Sequence, residues 1–191
     1  MGKFRESRTA RNLLLSFAGE SQARNRYTYF ARRAREEGYV QIGAIFDETA
    51  DQECEHALRF FKFFNGGELD VSGAFPTGAI RGTRENLIAA ADGERFEHQE
   101  LYPEFARVAE AEGFARAADT WNAIGVSEKQ HEKRYRDLAA NLMAGRVFAR
   151  QETVVWRCRN CGYLHVGRTA PDACPACVKP RGWFELLGEN W

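Results

Sequence analysis

The sequence predicts an all-α four-helix bundle with a long crossover between its second and third helices, followed by a small β-rich metal module. Three observations predict it. Four long stretches repeat apolar residues at spacings of three and four, the period of one helix face, and each carries acid on that apolar side. Two of them carry Glu-x-x-His, as Glu53/His56 and Glu128/His131. Near the C-terminus, Cys158-x-x-Cys161 and Cys174-x-x-Cys177 are separated by a dozen residues, the spacing of a tetrahedral four-thiolate site.

The first helix has Ser7 or Thr9 as its cap and runs to about Glu37, with Gly38 as its stop. Its apolar face reads Leu13, Phe17, Glu20, Arg24, Tyr27. The second runs from about Val40 to Asn65 and ends at Gly66-Gly67, with a face of Phe46, Thr49, Glu53, His56, Phe60 and Phe63. The short joint makes these two antiparallel neighbours. From Gly66 to Gly82 the period is lost, and Ser72 and Pro76 break any helix. That stretch is the crossover along the bundle. Thr83 caps the third helix, Glu85 suits the positive end of its dipole, and Gly113 stops it after Glu112. Its face reads Leu87, Ala90, Glu94, Glu97, Leu101, Val108. Pro103 falls inside it, lacks an N–H and crowds the Gln99 carbonyl, which predicts a kink. The fourth helix runs from about Phe114 to Ala144, with Trp121, Ile124, Glu128, His131, Tyr135, Leu138 and Leu142 on one side. The domains expected are a bundle over 1–146, a linker over 147–153 and the cysteine module over 154–191.

A bare carboxylate costs several kcal/mol to bury and is normally paired or metal-bound. Four helices bringing inward Glu, two of them with His one turn later, supply the ligand set of a carboxylate-bridged two-metal site in a ferritin-like bundle. The spacing repeats: Glu53 follows Glu20 by 33 residues, and Glu128 follows Glu94 by 34. Gly19-Glu20 echoes Gly93-Glu94. The chain therefore reads as two hairpins of one design, broken at Glu97, where the first hairpin has Ala23. One metal gains a carboxylate that the other lacks. Tyr27 and Tyr102 fall near the ligands by helical spacing and are candidate hydrogen-bond donors to them.

Lysine plus arginine and aspartate plus glutamate each number 27, and this zero balance argues against nucleic acid as a partner. No apolar run is long enough to span a bilayer. The polar stretch from Met1 to Ser7 has no signal-peptide core, so a cytoplasmic protein is expected, where clustered thiols mean metal. Thiolate tetrahedra take iron or zinc. Trp156, Tyr163, Trp183 and Phe184 are available to pack around the cysteine turns. Cys54 points away from the Glu53 face and is expected to be a small buried or half-buried filler.

With both motifs in hand, the chain resembles the rubrerythrins over nearly its whole length. The resemblance rests on Glu20, Glu53-x-x-His56, Glu94-x-x-Glu97 and Glu128-x-x-His131, then on a rubredoxin-like tail with Cys158, Cys161, Cys174 and Cys177. It implies two iron ions in the bundle and one iron in the tail, with zinc as the other occupant there. It implies a non-haem peroxidase that reduces hydrogen peroxide to water. Glu53 and Glu128 would bridge the irons, and Glu20, Glu94, Glu97, His56 and His131 would complete their shells. Glu97 and His56 would exchange on reduction. The tail iron would relay electrons from an NADH-linked reductase or a rubredoxin, within a head-to-tail homodimer. The tail departs from rubredoxin at Val178, where glycine normally follows the second cysteine of each turn. Two other functions share parts of the pattern. A ferroxidase or iron-storage protein has no use for the thiolate module, and a non-enzymatic scaffold would carry a zinc ribbon.

Overall fold

A computed structural model describes residues 2–190. The helices are α1 (Gly2–Arg5), α2 (Arg8–Glu36), α3 (Val40–Phe61), α4 (Thr83–Phe96), α5 (Tyr102–Glu112) and α6 (Ala115–Met143), with a π-helical turn over Glu97–Leu101 between α4 and α5. The strands are β1 (Ala149–Cys158), β2 (Leu164–Thr169) and β3 (Phe184–Leu186). The bundle is ferritin-like: α2 and α3 form one hairpin, α4–α5 and α6 the other. The segment from Gly66 to Gly82 joins them without regular structure. No helix among the described residues is long and apolar enough to cross a membrane.

Helix ends follow local chemistry. Ser7 caps α2 by accepting from the Ala10 N–H. Gly38 (φ 84°) and Gly113 (φ 82°) each adopt the left-handed conformation that closes a helix. Behind them, Tyr39 N–H bonds back to Ala34 O and Phe114 N–H to Ala109 O, both at 2.8 Å. Three expectations about the helices change. The second helix stops at Phe61, not Asn65, because its last turn tightens to i→i−3 bonds. Phe64 then leaves the helical path to pack on Phe4, at 5.9 Å between ring centres. Thr83 is the first helical residue of α4 rather than its cap; its hydroxyl is buried without a partner, and the Glu37 carboxylate accepts its N–H at 2.9 Å. Arg24 is exposed, and the inward face of α2 instead reads Leu13, Ser16, Glu20, Ala23, Tyr27. Arginine's hydrated head goes to water, and alanine allows close helix packing.

Two apolar layers fill the bundle. One centres on Tyr27, Phe30, Ile42, Phe46, Leu87 and Tyr135, the other on Leu13, Phe60, Tyr102 and Trp121. The acidic face residues lie between them.

The module is a three-stranded antiparallel sheet of order β2-β1-β3, with Trp156 opposite His165 and Cys158 opposite Phe184. Trp156, Phe184, Cys158 and Cys174 are its core, with Tyr163 and Trp183 packed against them. The expected linker 147–153 is largely the start of β1, since Ala149 already pairs with Thr169. The module rests on its own bundle at the α2–α3 corner. Tyr39 and Phe148 stack at 6.0 Å, and Gly182 approaches Gly38 so closely that a Cβ there would lie 2.1 Å from the Gly38 carbonyl.

Candidate metal centre

Mid-bundle, α2 brings Glu20, α3 brings Glu53 and His56, α4 brings Glu94, and α6 brings Glu128 and His131. Ligand atoms of Glu20, Glu53, His56 and Glu128 all lie within 4.8 Å of one another, and so do those of Glu53, Glu94, Glu128 and His131. Glu53 and Glu128 belong to both groups. Each divides its oxygens between the two histidines. Glu53 Oε2 is 2.8 Å from His56 Nδ1 and Oε1 is 3.1 Å from His131 Nδ1. Glu128 Oε1 is 2.9 Å from His56 Nδ1 and Oε2 is 2.8 Å from His131 Nδ1.

The cluster is deeply buried, with Glu20 and Glu128 at 0% exposure. Glu20 Oε2, Glu53 Oε1, Glu94 Oε2, both oxygens of Glu128 and His131 Nδ1 have no hydrogen-bond partner. Buried polar atoms are almost always satisfied. So many hard oxygen and imidazole donors, crowded within 4.8 Å of one another yet misaligned for hydrogen bonds among themselves, fit a pair of cations. In the protein alone, protons must stand in for that charge. Burial, then the neighbouring Glu128, pushes Glu20 well above the usual carboxylate range. Burial and Glu53 raise Glu94 to about 8. Burial works against charge on the histidines, but Glu128 and Glu53 raise His56 to about 10 and His131 to about 12. Burial works against Glu128 as well, yet His131 and His56 hold it below its ordinary value.

Around the ligands stand their donors. The Tyr27 hydroxyl donates to Glu94 Oε1 and the Tyr102 hydroxyl to Glu20 Oε1. His131 Nε2 lies 2.9 Å from Gln52 Oε1; donation from that nitrogen leaves Nδ1 free to face the cluster. Sequence reasoning missed Gln52. Its one signal was its place beside Glu53.

Glu97 stands apart. It belongs to neither four-residue group and is half-buried at the flank. Burial and the charge of Glu94 raise it well above its ordinary value, with Arg26 pulling the other way. It begins the π turn, where the Tyr102 N–H bonds to the Glu97 carbonyl, one residue further back than in an α-helix. Where a kink was expected at Pro103, the helix instead changes to this π turn just before it, and Pro103 sits in the first turn of α5, where no N–H is needed. The turn also accounts for the hairpin spacing. Thr83 follows Thr9 by 74 residues and Glu94 follows Glu20 by 74, whereas Tyr102 follows Tyr27, Glu112 follows Glu37 and Glu128 follows Glu53 by 75. The second hairpin has one extra residue between Glu94 and Tyr102, and the π turn absorbs it.

In the module, Cys158 Sγ is 3.7 Å from Cys177 Sγ, and Cys161 Sγ is 3.6 Å from Cys174 Sγ. These are too long for disulfides. They match the roughly 3.8 Å edge of a tetrahedron built on metal–sulfur bonds of about 2.3 Å. The Lys179 backbone N–H helps pull the Cys177 thiol down to about 6. Gly162 N–H returns to Cys158 O and Val178 N–H to Cys174 O, both at 2.9 Å. The second turn thus keeps the geometry of the first, with Val178 forced to φ 54°. Cys54 is exposed, not buried, because it lies on the outer side of α3 beside Leu58 and Phe61.

The rubrerythrin family model matches residues 11–139, and the model for the rubrerythrin rubredoxin-like domain matches 156–185. A rubrerythrin of Nitratidesulfovibrio vulgaris is 55% identical over the full length of both chains. One of Porphyromonas gingivalis is 51% identical, covering 97% of this chain and 92% of its own. Among solved structures, fully reduced, all-ferrous nigerythrin superposes with a TM-score of 0.63 at 30% identity, covering 95% of this chain and 90% of that one. With its di-iron carboxylate cluster and four-cysteine rubredoxin-like site, the chain belongs to the rubrerythrin family.

Proposed function

We propose that this protein is a peroxidase that reduces hydrogen peroxide to water at the bundle site, as part of oxidative-stress defence. The observation that carries this is the pairing, in one chain, of a buried carboxylate–histidine site for two cations with a separate four-thiolate site. When bound, two ferrous ions supply the two electrons of H2O2 + 2 H+ + 2 e− → 2 H2O. Glu20 and His56 would hold one metal, Glu94 and His131 the other, and Glu53 and Glu128, which belong to both groups, would contribute to each. Glu97, at the flank of the site, would be the carboxylate that exchanges with His56. Tyr27 and Tyr102 fix the orientation of Glu94 and Glu20, and the buried setting keeps bulk water from the reacting centre.

Cys158, Cys161, Cys174 and Cys177 would hold a single iron, whose one-electron chemistry would relay electrons from an NADH-linked reductase or a rubredoxin. Free thiols of this kind suit a reducing compartment such as the cytoplasm. The module sits at the far end of its own bundle. From His131 to Met143 alone the helix rises roughly 18 Å, so a head-to-tail homodimer, with each module against the other bundle, supports the transfer.

The test is an anaerobic assay with NADH, an added reductase and peroxide, on protein whose iron and zinc have been quantified. Peroxide-dependent NADH consumption by iron-loaded protein is expected. Mineral formation with oxygen and no peroxide turnover would instead identify an iron-storage protein. A colourless, zinc-filled module with an inert bundle would identify a scaffold.

A further inference from the structure

Glu20, Glu53, Glu94, Glu128 and His131 are buried, which leaves His56 and Glu97 as the members of the site nearest solvent. Each borders a hollow. The one beside His56 is lined by Glu48, Asp51, Gln52 and Glu55, a set rich in acceptors. The one beside Glu97 is a cavity of about 250 Å3 between α2 and α4, with part of the crossover in its wall. Its lining includes Gly19, Gln22, Arg26, Phe75 and Gly93.

Three features distinguish this cavity. Gln22 Oε1 and Arg26 Nε are buried with no hydrogen-bond partner, one an acceptor and the other a donor. The two glycines leave open space: a Cβ on Gly19 would meet nothing within 4 Å, and one on Gly93 only Arg26 Nη2 at 3.9 Å. The crossover is fastened alongside. Gln22 Nε2 donates to Pro76 O at 3.2 Å, and Gly73 lies so close to α2 that a Cβ would come within 2.6 Å of Leu15 Cδ2.

We propose that this cavity is where hydrogen peroxide enters and is held, with Gln22 and Arg26 as the residues that bind it beside Glu97. The assignment rests on the peroxidase reading above. Hydrogen peroxide carries O–H donors and lone pairs on both oxygens. One molecule donates to Gln22 Oε1 and accepts from Arg26 Nε–H, satisfying both orphaned atoms. The cavity far exceeds the roughly 30 Å3 that a water molecule occupies in the liquid. None of the five residues lining the hollow at His56 has a buried polar atom without a hydrogen-bond partner.

Two measurements test this. In the first, fully reduced iron-loaded protein is mixed rapidly with hydrogen peroxide, using Gln22→Leu, Arg26→Met and the series Gly19→Ala, Gly19→Val and Gly19→Phe. Metal content and melting temperature are checked for each variant, and alanine for glycine favours the helix. The second-order rate constant is expected to fall with side-chain size at position 19. It should fall roughly tenfold in Gln22→Leu, the loss of one hydrogen bond, while the rate at saturating peroxide is unchanged. In the second, crystals of zinc-loaded protein, which cannot turn over, are soaked with hydrogen peroxide. Two-oxygen density between Gln22 Oε1 and Arg26 Nε is expected in the wild type and should be lost in Gln22→Leu. Wild-type rates in every variant together with no density in the cavity overturn the proposal and leave the peroxidase reading standing. Density in the zinc protein without turnover in the iron protein overturns the peroxidase reading and leaves the pocket.

Discussion

The Tyr27 hydroxyl on α2 donates to Glu94 on α4, and Tyr102 at the start of α5 returns the same bond to Glu20 on α2. Each hairpin's tyrosine thus holds the other hairpin's glutamate, so the two halves of the site are tied across the bundle. Tyr27→Phe leaves Glu94 Oε1 buried without its donor. A loss of about 1–3 kcal/mol in stability is expected, with metal held on the order of ten- to a hundredfold less tightly. Chelator competition on Tyr27→Phe and Tyr102→Phe measures this, and equal losses are expected from the matched geometry.

Metal-free protein should lose stability as pH rises. Glu94 is raised to about 8, so its contribution is complete below the ordinary carboxylate value of 4.5 and is lost as pH climbs through 8. His56 and His131, raised to about 10 and about 12, contribute fully below 6.5 and lose that contribution through those higher values. Glu128 is lowered and runs the opposite way, but only below 4.5. Melting temperature of the chelator-treated protein is therefore expected to decline steadily from about pH 5 to pH 9. Metal-loaded protein, with cations in place of protons, should show a much flatter profile.

Two helix starts depend on carboxylates from elsewhere in the fold. Glu112 accepts from the Arg8 and Thr9 N–H groups and the Thr9 hydroxyl, and Glu37 accepts from the Thr83 N–H. Glu112→Ala is expected to cost about 1–2 kcal/mol in urea unfolding, as for loss of a helix cap. Glu37→Ala should cost about 1 kcal/mol. Thr83→Ala, which keeps the N–H that Glu37 accepts, should cost less than either. Burial opposes ionisation of both glutamates but their hydrogen bonds lower them, so this stabilisation is present above 4.5 and fades as pH falls below it.

Val178 is 84% exposed and held at φ 54°, a conformation costly for a β-branched residue. Val178→Gly is expected to stabilise the loaded module by about 1 kcal/mol. Slower loss of the four-thiolate metal under heat, followed by absorbance, checks it.

Glu97→Ala is expected to leave both metals bound, because Glu97 belongs to neither four-residue group. On the proposed exchange between Glu97 and His56, peroxide turnover should fall. Metal analysis beside the peroxide assay separates the two effects.

Much of this site was legible in the chain. Glu53/His56 and Glu128/His131 declare themselves because one helical turn puts each pair on one face, and the cysteine spacing admits few other readings. The rest depends on contacts that periodicity does not encode. Ala23 and Arg24 are both about one turn from Glu20, and only the packed neighbour decides which goes inward. Gln52 reaches His131 from a different helix. Glu37 and Glu112 serve helices far along the chain, so local capping rules pointed to Thr83 instead. The π turn left a trace, the single-residue difference between hairpin spacings, but spacing alone does not say where a hydrogen-bond ladder slips.

That slip makes twins unequal. A fold with strict twofold repetition would bind two ions alike, and neither would have reason to change partners before the other. One surplus residue in the second hairpin is taken up by a π turn that begins at Glu97, where the first hairpin carries Ala23. Two small edits, one added residue and one acid for an alanine, are enough to break the repeat at this point of the chain.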